Sequence, residues 1–168
     1  MSYQEKRTIV TVLTGILILA AYCIYAFGKV NAGIESVEDL KFWAFAMLLF
    51  IGVGVVANII IQIVFHILLS IGIAIKEQIQ NGSVNDDEIE KTLELEMVED
   101  EMDKLIGLKS MRLGFAVAGI GFVSGLVALM MDYSPALMMN IIFISFNVGS
   151  ILEGIAQIYY YRKGVNHG

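Results

Sequence analysis

Charge is missing from four long stretches of the chain, and their positions predict the elements. Residues 8–28 carry no ionisable group beyond tyrosine and cysteine, and residues 42–75 carry only His66 near neutrality. Residues 113–131 are uncharged, and residues 134–161 hold a single carboxylate, Glu153. A helix needs about 20 apolar residues to cross ~30 Å of hydrocarbon at 1.5 Å per residue, and all four stretches reach that length. Hydrocarbon offers the backbone no hydrogen-bond partner, so a crossing segment is a helix or part of a closed barrel. Barrel strands would alternate in polarity over ~10 residues, and these runs are continuous. The expected fold is an all-α integral membrane protein, a bundle of four transmembrane helices. Its spans lie at 8–28, 42–70, 113–131 and 135–160 of one membrane domain covering residues 1–168.

The second stretch is too long for one perpendicular crossing, and we expect it to project past the headgroups over residues 70–75 with modest tilt. Asp132 to Pro135 reads as a tight turn, with Pro135 tolerated in the first turn of the fourth span. Spans one and two, and spans three and four, then form two antiparallel hairpins, with no convincing sequence match between them. The first span is longer than the ~7–15 apolar residues of a signal peptide, and Tyr22 replaces the small residue that a lipoprotein site before Cys23 would need. A retained span is the expectation.

Composition agrees with a membrane address. Hydrophobic residues make up 57% and charged residues 17%, against ~45–50% and ~25% in ordinary soluble domains. Mean hydropathy is +0.73. A net charge of -6 and the lack of a basic cluster argue against nucleic-acid binding. One cysteine excludes an intrachain disulfide framework.

Lysine and arginine set the orientation. Lys6, Arg7, Lys76, Lys91, Lys104, Lys109, Arg112, Arg162 and Lys163 fall on one side, against Lys29 and Lys41 on the other. Both termini and the middle loop are therefore expected in the cytoplasm, at the cytoplasmic (inner) membrane. Tyr22, Tyr25, Trp43 and Tyr133 would mark the outer interface; Tyr3, Tyr159, Tyr160 and Tyr161 would mark the inner one.

The cytoplasmic segment, residues 76–112, carries 11 acids and five bases, which accounts for the whole net charge. Asn81 and Gly82 signal a turn, and Asn85 with Glu88 a helix start, so an acidic cytoplasmic helix is expected between spans two and three. Asp100 and Lys104, one turn apart, would pair weakly. Leu95, Val98, Met102 and Leu105 form a narrow apolar stripe. It would either dock a cytosolic protein or second copy, or pack on its own neighbours, and solvated charge runs favour the second.

Asp100-Glu101, Ile106, Lys109, Ser110 and Arg112 spell D-E-x4-I-x2-K-[AS]-x-R before an apolar span. In this the chain resembles an uncharacterised family of small bacterial multi-pass membrane proteins, several encoded beside helix-turn-helix regulators. The resemblance covers residues 99–162 and implies a bacterial cell membrane, without chemistry or ligand.

Polar residues inside the spans are the candidate site. Asn58, Gln62, His66 and Ser70 recur every four residues on one face of span two. Asn140, Asn147, Ser150, Glu153 and Gln157 share a sector of span four. If Lys76 and Arg162 mark equal depth, His66 and Glu153 lie at one level, ~14 Å in. The expectation is a polar seam of Asn58, Gln62, His66, Asn147, Ser150, Glu153 and Gln157, with His66 and Glu153 sharing a proton. Such amides and hydroxyls also hold helices together with no further role, and a carboxylate in the bilayer points more strongly to function. Gly114, Ala118, Gly121 and Gly125 give span three a small-residue face for a homodimer or for packing within one bundle.

Enzyme signatures are lacking. His66 has no second histidine one turn away, no glycine stands two residues before Ser124 or Ser150, and no phosphate loop precedes Lys109-Ser110. The acidic run lacks the ligand spacing of an EF-hand, and the methionines read as apolar filler. The chain reads as a non-enzymatic membrane protein without cofactor or metal. It is either an oligomeric or proton-linked transporter, or a regulatory, sensor or immunity-like protein working through its acidic helix. Its partners are the lipid bilayer and candidate homo-oligomer or cytosolic protein contacts.

Overall fold

A computed structural model describes residues 3–81, 91–92, 98 and 100–164, with backbone alone at 77–78 and 80–81. Among them are four helices: α1 (Tyr3–Asn31), α2 (Leu40–Asn81), α3 (Glu101–Met130) and α4 (Pro135–Lys163). All four are long and apolar enough to cross a membrane, the make-up of a multi-pass membrane protein.

Local chemistry sets the helix ends. Asp39 accepts from the backbone N–H groups of Lys41 and Phe42 at 3.0 and 3.2 Å and so starts α2. The connection before it turns at Gly33, whose φ of 70° suits a residue without Cβ. Its tail is pinned where Trp43 Nε1 donates to the Val37 carbonyl at 3.0 Å. The other connection is as short as expected. Asp132 takes a positive φ of 64°, Ser134 accepts from Leu137 N–H at 3.3 Å, and Pro135 opens α4 where its missing N–H costs nothing.

The charged segment differs from the sequence expectation. α3 starts at Glu101, where Asp100 accepts from Asp103 N–H at 2.6 Å and Asp103 accepts from Asp100 N–H at 3.2 Å. That reciprocal cap occupies the Asp100 carboxylate expected to pair with Lys104. Residues 101–112 therefore belong to one unbroken helix with the third span. Gly82, the helix start expected at Asn85 and Glu88, and Leu95 lie outside the described residues. Val98 and Met102 are exposed, and Leu105 is half-buried.

α4 is the hub. It packs most closely on α3, then on α1, and α1 packs on α2. Residues 138, 142, 145, 149 and 153 turn toward α3; residues 140, 143, 151, 154 and 157 turn toward α1. At 100° per residue these are nearly opposite faces. The main buried cluster, Tyr22, Ala26, Phe42, Trp43, Ala46, Met47 and Ala136, fills the end of the bundle near Trp43. Elsewhere large apolar side chains face outward, including Leu17 at 69%, Phe115 at 76% and Met130 at 79% exposed. A water-soluble monomer rarely exposes contiguous apolar surface on this scale.

Candidate functional site

Three side-chain hydrogen bonds and two close approaches run down the α1–α4 interface. Near the Trp43 end the Tyr22 hydroxyl, fully buried, donates to Asn140 Oδ1 at 2.6 Å, while Asn140 Nδ2 donates to the Ala136 carbonyl at 2.9 Å. The Tyr22 ring packs against Phe143 and Phe50, with centroids 4.5 and 5.6 Å away. Gly15 then meets Ile151, and Gly154 accepts Val12 so closely that a Cβ would collide with it. Thr8 Oγ1 donates to Gln157 Oε1 at 3.3 Å. At the far end Arg162 Nε donates to the buried carboxylate of Glu5 at 2.9 Å. This polar spine went unnoticed in the sequence. Its signal is residues 5, 8, 12, 15, 22 and 26 of α1, at helical spacing and mostly small or polar.

The α3–α4 interface is built from small residues. Ile106, Ser110, Gly114, Ala118, Gly121 and Gly125 are the buried positions of α3. A Cβ on Gly114 would lie 3.1 Å from the Gly149 carbonyl and 2.9 Å from Glu153 Oε2. A Cβ on Gly149 would come within 2.6 Å of the Gly114 carbonyl, and Gly121 sits against Ser145. The small-residue face read from the sequence thus packs inside the chain, and it gives the Glu153 carboxylate room beside α3.

Between α1 and α3, floored by α4, lies a cavity of about 630 Å³. Asn58, Asn147, Ser150, Glu153 and Gln157 line it, joined by Thr8 and Thr11 of α1 and by Arg7, Asp103 and Lys104. Five of the seven residues expected in a polar seam are therefore brought together. Gln62 and His66 are not: both are exposed and neither lines the cavity.

Depth explains the separation. The Tyr3 ring meets Phe65 with centroids 5.9 Å apart, and Glu5 holds Arg162, so Phe65 and Arg162 lie at nearly one level. Lys76 stands 11 residues farther along α2, ~16 Å beyond, and does not share the depth of Arg162. Gly54 neighbours Ile18, which by interpolation sets Asn58 level with Val12, Gly154 and Glu153. His66 is level with the start of α1, ~13 Å from Glu153 along the helix axis. Asn58 Nδ2 itself donates to the Gly54 carbonyl at 2.9 Å.

The cavity lining thus runs from Gln4, Arg7, Lys104 and Tyr161 at the Arg162 end to Gly15, Asn58 and Asn147. Beyond it stand Tyr22, Phe50 and Phe143, packed ring to ring. Aromatic packing thus bounds the space at that end. Among the described residues no group of three or more His, Cys, Asp or Glu is placed to hold a metal ion.

No protein-family model matches the chain, and no curated protein or solved structure is significantly similar to it.

Proposed function

We propose that this chain is a non-enzymatic bacterial cytoplasmic-membrane protein carrying out proton-linked transport through the cavity between α1, α3 and α4, with Glu153 as the proton-binding group. The observation that carries this reading is the position of Glu153, the carboxylate that lies within the apolar stretch of α4 and half-way along a cavity lined in part by amides and hydroxyls. A carboxylate at bilayer depth is costly to insert, ~2.5–3.5 kcal/mol, unless water or a partner solvates its charged form. The amide and hydroxyl lining supplies that environment.

The lysine and arginine count supports an orientation with the Arg162 end in the cytoplasm, so that the cavity faces inward. The D-E-x4-I-x2-K-[AS]-x-R pattern at the start of α3 supports a bacterial source. Four spans enclose little of a path by themselves, so the working form is an oligomer, as the outward apolar side chains allow.

Purified protein reconstituted into vesicles with an entrapped pH indicator tests the reading. The wild type should collapse an imposed pH gradient, and Glu153→Gln should reduce that flux to the level of empty vesicles. His66→Ala, outside the cavity, should leave it unchanged. Equal flux from wild type and Glu153→Gln, or no flux from a folded wild type, ends the transport reading.

A second reading has one observation in its favour: Val98 and Met102 stand 66% and 45% exposed beside the charged start of α3. In it the chain is a regulatory or sensor protein, and that apolar pair contacts a cytosolic partner.

A further inference from the structure

Two cations at the cavity's mouth come from different helices. Arg7 of α1 and Lys104 of α3 both line it, and neither has an ion-pair partner among the described residues. They also stand at one level. Arg7 lies half a turn from Glu5, which holds Arg162. On α3, Gly114 faces Gly149 and Glu153, so Lys104, ten residues earlier on an antiparallel neighbour, falls opposite the 159–163 stretch of α4. Glu153 is some nine residues deeper, ~13 Å from the two cations. Asp103 also lines the cavity beside Lys104; its carboxylate accepts from the Asp100 N–H and keeps its negative charge. Gln4 and Thr8 add neutral polar groups to the rim.

We infer that Arg7 and Lys104 form a phosphate-binding clamp across this mouth, occupied by the headgroup of an anionic phospholipid or by free phosphate. A guanidinium presents paired donors matched to phosphate oxygens, and an ammonium supplies a second point charge. Basic pockets between membrane helices on the cytoplasmic side take anionic headgroups by this chemistry. α1 and α3 barely touch each other and are joined chiefly through α4. A phosphate bridging Arg7 and Lys104 therefore ties the two walls of the cavity together and holds its width. The clamp rests on the membrane orientation proposed above and not on the proton chemistry of Glu153.

The test uses the full chain in lipid nanodiscs of phosphatidylcholine, of phosphatidylcholine with phosphatidylglycerol, and of phosphatidylcholine with millimolar inorganic phosphate in the buffer. Thermal unfolding and native mass spectrometry of retained lipid are the readouts. Phosphatidylglycerol should raise the midpoint and remain bound, and Arg7→Gln with Lys104→Gln should lower its retention about tenfold or more. Arg7→Lys with Lys104→Arg should restore it, and Lys41→Gln at the opposite end should have no effect. An equal rise with inorganic phosphate, lost in the same double variant, assigns the clamp to the free anion. Stabilisation by neither anion, or unchanged retention in the double Gln variant, overturns the clamp. Glu153→Gln should bind either anion normally, so loss of proton flux and loss of the clamp are read separately.

Discussion

A tyrosine hydroxyl in the middle of an apolar helix needs a partner before it can be buried. Tyr22 reads in the sequence as an interface marker, because tyrosine is at home wherever one end of the ring is wet. In the structure it is fully enclosed and bonded to Asn140. The sequence lists both residues but does not say which helix faces which, and that pairing alone distinguishes an anchor at the headgroups from a buried hydrogen bond. Tyr22→Phe would leave Asn140 Oδ1 without its short donor. We expect a loss of about 0.6 to 2 kcal/mol in reversible unfolding in micelles, with the lower figure typical of membrane proteins. Adding Asn140→Leu to Tyr22→Phe should cost less than the sum of the single changes, since the orphaned oxygen is then removed as well. Strict additivity would show that the bond contributes nothing.

Packing between helices was legible where it needs only small residues. Gly121 and Gly125 with Gly114 and Ala118 mark a face of α3 that lets another backbone approach, whatever the partner. The partner itself, Ser145 and Gly149 of α4, went unread, although two small residues four apart carry the same signal. The polar seam was half legible. The four-residue repeat of Asn58, Gln62 and His66 is genuine, yet its depth was pegged to Lys76, which lies on a helix longer than its neighbours. Only Asn58 reaches the level of Glu153. The tightest contact gives the sharpest test: an alanine Cβ at position 149 would come 2.6 Å from the Gly114 carbonyl, against backbone that cannot rotate away. Gly149→Ala should therefore destabilise the α3–α4 hairpin by about 1–3 kcal/mol, read as a lower unfolding midpoint in detergent. Gly52→Ala, with nothing within 4 Å of the added methyl, is the matched control and should be neutral or slightly stabilising.

At the scale of the molecule, α2 outruns the rest of the bundle. Its 42 residues span ~63 Å, and the stretch beyond Phe65 passes the level of Arg162 by more than 20 Å. No proline interrupts that run, and the helix is continuous to Asn81. Side-chain exposure alone does not say which parts of α2 meet lipid and which meet water. Val55 is 54% exposed and Ile79 79% exposed, yet the first lies between α2's contacts with Ile18 and Tyr3, and the second lies far past them. In a Cys23→Ala background, Ile79→Cys should react with a membrane-impermeant maleimide from one side of sealed vesicles. Asp132→Cys, in the turn between α3 and α4, should react only from the other side. With hydrocarbon around it, Val55→Cys should react from neither until detergent is added, since there the reagent does not partition and the thiol does not ionise. Equal labelling of positions 55 and 79 in intact vesicles would mean that water bathes the whole of α2. The outward isoleucines and valines would then need a protein partner rather than a bilayer to cover them.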